Sequence, residues 1–128
     1  MPKLVVDSWA WIEYLDGSEA GKIVNKLISG NSEVWTSAIS LAEVVSKYRR
    51  KGRSEATAVE AIGSLSRVEA ARAEDAVEAG GIHAEQKKST PNFGLSDAFV
   101  LQLARRVGGK VVTGDADFAG IDEVEFLR

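Results

Sequence analysis

Five acidic residues carry the chemical interest of this chain: Asp7, Glu43, Asp97, Asp115 and Asp117. Asp7 closes the apolar run KLVVD. Asp115 and Asp117 follow a second run in KVVTGDADF. Glu43 in SLAEVV and Asp97 in LSDAFV stand at the openings of stretches with helical periodicity. Carboxylates that converge repel one another and raise one another's pKa. A bound divalent cation removes the conflict, and an all-oxygen donor set selects a hard ion, Mg2+ or Mn2+. One or two such ions activate water and stabilise the oxygens of an in-line phosphoryl displacement. Each acid also has a purely structural reading. Ser40-x-x-Glu43 matches a capping box. Asp97 suits the positive end of a helix. Asp7 and Asp115 suit turns after strands, and Asp117 an N-cap or turn. The metal reading gains weight because a single topology would gather all five.

The elements that must position these acids are legible from periodicity and punctuation. KLVVD reads as a strand. SWAWIEYLDG reads as a helix with Ser8 as N-cap and Gly17 as stop. SEAGKIVNKLISG is a helix ended by Gly30, and EVWTSA is a strand. SLAEVVSKYRRKG is a helix closed by Gly52, with Leu41, Val44, Val45 and Tyr48 on one face. SEATAVEAIGSLSR repeats the pattern through Val59, Ile62 and Leu65. Val68–Ala70 reads as a short strand. A glycine-weakened helix, AEDAVEAGGIHAEQKK, and the loop STPNFG follow. LSDAFVLQLARRVGG is a helix with Val100, Leu103, Ala104 and Val107 on one face. KVVTG and EVEFL are the last strands. Strands alternating with helices predict an α/β domain, a three-layer α/β/α sandwich with a mainly parallel central sheet. The strands are continuous apolar runs, as a sheet covered on both faces requires. In such sheets ligands bind outside the C-terminal strand ends, where Asp7 and Asp115 would emerge if their strands are neighbours.

Length and composition set the bounds. The 128 residues suit one domain over 1–128. No apolar run approaches the roughly 18–20 residues that cross a bilayer. The start, MPKLVVDSWAW, lacks a signal peptide's apolar core and cleavage site. A soluble cytoplasmic protein without a membrane partner is expected. The absence of cysteine excludes disulfides, zinc–thiolate sites and thiol nucleophiles. One Met, three Asn and two Gln fit a heat-adapted source. The net charge of −3 lacks the basic signature of a nucleic-acid binder. It conceals two basic segments, KYRRKGR and the stretch that contains Lys87 and Lys88. A metal-free acid–base nuclease would use histidine. The single one, His83, reads as a surface or packing residue.

The segments LVVDSWAWIEYL, SAISLAEVVSKYRR, LSDAFVLQLARR and VVTGDADF resemble, in order, the four motif regions of PIN-domain ribonucleases. Within that family the likeness is to VapC toxins of toxin–antitoxin pairs. The resemblance implies a PIN-like fold and a Mg2+- or Mn2+-dependent endoribonuclease that leaves a 5′-phosphate and a 3′-hydroxyl. It implies that Asp7, Glu43, Asp97 and Asp115 form an acidic quartet, with Asp117 as the frequent fifth acid. Thr113 and Ser8 match supporting positions. Asp7 and Asp97 are then the firmest ligands, and Asp115 and Glu43 complete the shell or orient water. Trp9 departs from the family pattern, which has Asn or a small residue there. A small antitoxin protein and a second copy of the chain are the implied partners.

An RNA substrate gives the basic segments a purpose. Lys47, Arg49, Arg50, Lys51 and Arg53, with Lys87 and Lys88, are candidate phosphate contacts that would rim an acidic cleft. Trp9, Trp11 and Trp35 are either base platforms or, more commonly for tryptophan, packing. Trp9 and Trp11 point to different sides of their helix, so one is expected at the surface. The competing readings are a PIN-like RNA- or protein-binding module without turnover, and an RNA-processing nuclease without an antitoxin.

Overall fold

The computed structural model describes residues 1–127. One five-stranded sheet runs in the order β3-β2-β1-β4-β5. Its strands are β1 (Lys3–Val6), β2 (Glu33–Ser37), β3 (Arg67–Glu69), β4 (Lys110–Thr113) and β5 (Val124–Phe126). Every neighbouring pair is parallel. Helices α1 (Ser8–Asp16) and α2 (Glu19–Ile28) link β1 to β2, and α3 (Ala38–Arg50) and α4 (Glu55–Leu65) link β2 to β3. Helices α5 (Ala73–Gln86) and α6 (Leu95–Val107) lead to β4, and a 3-10 turn, Ala116–Phe118, precedes β5.

The apolar strands bury both faces, and register explains how. Val5 pairs with Trp35 and Val111, and all three belong to a core shared with α5 and α6 through Ala79, Leu101 and Ala104. Leu4 pairs with Val34 and Val6 with Val112. These point the other way, into a core with Trp11, Val24, Val44, Tyr48 and Ile62 of α1–α4. The result is the expected three-layer sandwich, with a fully parallel sheet. The chain steps outward from β1 to β3, then crosses back to place β4 on the free side of β1. Right-handed crossovers that reverse direction put the later helices on the opposite face. The reversal creates a switch point between β1 and β4, where open α/β sheets bind ligands.

Several local expectations shift. Asp7, not Ser8, caps α1, because β1 ends at Val6 and the extended Asp7 is the first side chain able to reach the Ala10 N–H. Helix α3 begins directly after β2 with Ser37 as its cap. Ser40 therefore lies inside the helix, fully buried, and does not form a capping box with Glu43. Helix α2 ends two residues before Gly30, and Lys51, not Gly52, caps α3. The β3 strand starts one residue early, at Arg67. Val59 and Leu65 of α4 are exposed while Ile62 is buried, so the packed face of α4 is narrower than its periodicity suggested. Among the described residues no helix is long and apolar enough to cross a membrane.

A buried polar knot fixes α6, the helix that bears Asp97. Asp75 in the first turn of α5 accepts from the Arg72 N–H at 2.9 Å and from Gln102 Nε2 of α6 at 2.9 Å. Arg72 and Arg106 both lie 3.4 Å from its carboxylate. The Arg72 N–H, then Gln102 and the Arg72 side chain, hold the Asp75 carboxyl below the usual range despite its burial. Here the protein supplies its own compensation for a buried acid.

Candidate metal centre and its cleft

The acids reach one edge of the sheet because Asp7 and Asp115 follow strand C-termini and Asp97 opens the helix that runs back from that edge to β4, while Glu43 lies in the second turn of α3, which leaves β2. Asp7 follows β1 and caps α1, its Oδ1 accepting the Ala10 N–H at 2.8 Å. Asp115 follows β4, and its Oδ1 accepts the Asp117 N–H at 2.9 Å. Asp97 sits in the first turn of α6, with Oδ2 on the Gly94 N–H at 2.8 Å. Each of these three spends one oxygen on backbone, which fixes the orientation of the carboxylate. Thr113, fully buried, accepts the Asp115 N–H at 3.0 Å and donates to the Asp7 carboxyl. It ties the two strand ends together, as does the bond from the Asp7 N–H to the Val112 carbonyl.

Asp97, Asp115 and Asp117 each offer an oxygen, and these atoms all lie within 4.8 Å of one another. Asp7 stands beside this trio. Burial raises its pKa from 3.8 to about 7, with Asp115 and Asp97 adding repulsion and Thr113 and the Ala10 N–H opposing it. Asp97 is pushed up to about 6, first by burial, then by Asp115, Glu43 and Asp117, against the Gly94 N–H. Asp7 thus feels Asp115 and Asp97, and Asp97 feels Asp115, Glu43 and Asp117. Among the described residues none of them pairs with a Lys or Arg. The contrast with Asp75 is direct: that buried acid has two arginines, and the charged groups that act on Asp7 are carboxylates, Asp115 and Asp97. Asp97, Asp115 and Asp117, with Asp7 behind them, are a donor set that fits a hard divalent cation.

Next to the trio lies a cleft of about 240 Å³ between α1 and α3, lined by Ser8, Trp9, Glu43, Lys47, Arg50 and Asp115 among others. Glu43 enters it from α3, one turn from Lys47. The other candidate cations are engaged elsewhere or lie outside the lining. Arg49 pairs with Glu55 at 3.2 Å. Arg53 pairs with Asp16 at 2.7 Å and covers the Tyr48 ring. Lys88 pairs with Glu85, and Lys87 donates to the Pro91 carbonyl. Lys51 is exposed beyond the end of α3. His83 is half-buried on α5.

The sequence matches the PIN domain family over residues 4–124. The chain belongs to the PIN domain family. Solved structures share the fold of this PIN domain across nearly the whole chain. A toxin–antitoxin complex from Klebsiella pneumoniae aligns with a TM-score of 0.80 at 21% identity, covering 98% of each chain. VapC20 of Mycobacterium tuberculosis, a sarcin–ricin loop cleaving toxin, aligns at 0.78 and 20% identity, covering 95% of this chain and 97% of that one. DNA-bound VapBC from Salmonella typhimurium aligns at 0.73 and 23% identity over the full length of both. The comparison with curated proteins gives no match.

One feature of this PIN domain site was not readable as such in the sequence. Asp117, the fifth acid that the resemblance implied, lies close to Asp97 and Asp115. Its neighbour Phe118 is fully buried against Phe93, with ring centres 5.5 Å apart in an edge contact. Phe93 immediately precedes the Gly94 that caps α6, so the aromatic pair joins the segment bearing Asp97 to the one bearing Asp115 and Asp117. The apolar character of the two rings was visible, but their meeting was not. Phe118→Ala is expected to cost about 3–5 kcal/mol in urea denaturation, the usual range for emptying a buried aromatic site. A loss under about 1 kcal/mol would mean that the ring does not hold the two segments together.

Proposed function

We propose that the protein is a divalent-cation-dependent endoribonuclease, built as one PIN domain over residues 1–128, and the toxin of a toxin–antitoxin pair. The observation that carries this reading is the uncompensated acidic group beside a cleft that holds Lys47 and Arg50. Asp7, Asp97, Asp115 and Asp117 would hold Mg2+ or Mn2+, with Thr113 bracing Asp7 and Asp115. When bound, the cation supplies Lewis-acid activation of water and offsets the charge that builds on the phosphodiester oxygens. Glu43 orients the incoming water or accepts its proton. Lys47 and Arg50 hold the RNA by its phosphates, which gives affinity with little sequence choice. Without such cations the acidic rim would repel a polyanion.

The toxin assignment is supported by the shared fold of the chains from Klebsiella, Mycobacterium and Salmonella. An antitoxin needs apolar surface to grip, and Val59 and Leu65 of α4 and Val68 of the edge strand β3 stand exposed. The test is cleavage of a structured RNA by purified protein in Mg2+ or Mn2+, with EDTA as control. Discrete fragments ending in 5′-phosphate, lost in EDTA and restored by added metal, are expected. Cleavage that survives EDTA sinks the metal mechanism, and no cleavage with either ion leaves a binding module. Growth arrest on expression, relieved by co-expression of a cognate small antitoxin protein, is the expected sign of a toxin.

A further inference from the structure

The three tryptophans have three different environments. Trp11 is fully buried and donates from Nε1 to Thr36 Oγ1 at 3.0 Å. Trp35 is buried in the sheet with the Arg67 guanidinium 4.6 Å from its ring centre. Trp9 is half-buried and lines the cleft with Ile12, Glu43, Lys47, Arg50 and Asp115. Its far ring edge presses on Gly114, so closely that a Cβ there would collide with Cη2. Gly114 lies between Thr113 and Asp115. The backbone that carries the acid therefore also sets the position of the indole, which makes the ring a rigid wall beside the carboxylates.

Helix α3 completes the arrangement. Glu43, Lys47 and Arg50 follow i, i+4, i+7 spacing and form one stripe along the cleft. At 1.5 Å per residue, Lys47 and Arg50 stand about 6 and 10 Å further along the axis than Glu43. The stripe thus passes from a carboxylate near the acidic trio to two cations farther out. Arg50 Nε donates to Ser46 at 3.3 Å, which steadies the side chain without neutralising it.

We propose that Trp9, Lys47 and Arg50 form a subsite for an unpaired nucleotide of the RNA adjoining the scissile phosphodiester. The base stacks on the Trp9 indole, and the cations engage the flanking phosphates. This rests on the ribonuclease reading above and adds which residues of this chain receive the nucleotide beside the scissile bond. A base within a duplex has both faces covered by its neighbours, so a platform beside the acids selects loops, bulges and single strands. Such a platform is tolerant of base identity, because every base has a π face. A pre-fixed ring also loses little freedom on binding.

The test uses the full chain in Ca2+, with RNA integrity checked on a gel. A labelled single-stranded oligoribonucleotide and the duplex of the same sequence are titrated, and anisotropy and tryptophan fluorescence are read together. The single strand is expected to quench fluorescence and the duplex to bind without quenching. Trp9→Ala weakens single-strand binding by roughly 5- to 100-fold, the scale of one lost base stack. Trp9→Phe holds affinity within about 3-fold but abolishes the quenching, since a smaller ring still stacks. Lys47→Ala and Arg50→Ala each lower the log–log salt slope by about 0.7. A folded Trp9→Ala that binds the single strand like wild type overturns the proposal, as does quenching that persists in Trp9→Phe or single-strand binding absent from wild type. Should Trp9→Ala not fold, the Trp9→Phe quenching still decides. The binding readout is independent of turnover. Wild-type cleavage in Mg2+ with no effect of Trp9 variants on binding would remove this subsite and leave the ribonuclease reading standing.

Discussion

Asp97→Asn is expected to lower divalent-dependent RNA cleavage by on the order of 10³-fold while leaving the fold intact, the larger end of what one electrostatic group contributes. The argument separates two jobs of one side chain. Oδ2 accepts the Gly94 N–H and helps start α6. An asparagine carbonyl can accept the same bond, so the helix keeps its first turn. The other oxygen then becomes an amide nitrogen, a donor with no affinity for a cation. The group also loses the charge that Asp115, Glu43 and Asp117 oppose. Stability without metal should therefore hold or rise as cleavage disappears. The measurement is kcat/KM on one RNA, with urea denaturation of both proteins in EDTA. A variant that keeps cleavage within about 10-fold of wild type would remove Asp97 from the metal centre.

Asp7 gives the second large effect, and its sign follows from linkage. In the unfolded chain its carboxyl loses its proton near 3.8, and in the metal-free folded protein near 7. Between those values the folded state binds more protons, so stability falls as pH rises. The contribution is present below about pH 4 and lost by about pH 8, on the order of 4 kcal/mol at 1.36 kcal/mol per unit of pKa difference. Asp7→Asn should remove that part of the slope and leave the part from Asp97, whose carboxyl is also pushed up, to about 6. In EDTA at pH 8 it should be more stable than wild type, since Asn still caps α1 through the Ala10 N–H. Mg2+ or Mn2+ should reverse the order, because metal binding draws on the deprotonated form and strengthens as pH rises. Asp75 and Glu123, whose carboxyls are held below their usual values, act with the opposite sign in a more acidic window. The comparison of wild type with variant isolates Asp7. An Asp7→Asn protein less stable than wild type in EDTA at pH 8 would falsify the account of a buried, uncompensated acid.

Much of the site was legible because its parts obey local rules. An acid after an apolar strand and an acid in the first turn of a helix are short-range patterns, and Asp7, Asp97 and Asp115 fit them in one dimension. Glu43 was harder. Its resemblance to a capping box dissolved only when α3 proved to start at Ala38, with Ser37 as cap. Helix boundaries near a strand depend on how far the strand pairs, which a short window does not contain. The narrow packed face of α4 is a similar case: periodicity marked Val59 and Leu65, but how much of a helix is covered depends on its neighbours.

The sequence by itself determined the parallel α/β class, the strands buried on both faces, and the identity of the acids. Apolar periodicity, caps and continuous β-branched runs are properties of neighbouring residues, so they survive in one dimension. Only the tertiary structure decided that β4 lies against β1, which brings the Asp7 and Asp115 strand ends side by side. It also decided that Asp117 joins the closest carboxylates, that Lys47 and Arg50 line the cleft while Arg49 and Arg53 pair elsewhere, and that Trp9 alone of the tryptophans borders the acids. Strand order and side-chain company are set by contacts between residues far apart in the chain. Their energies come from packing and desolvation, and those exist only once the layers have closed on one another.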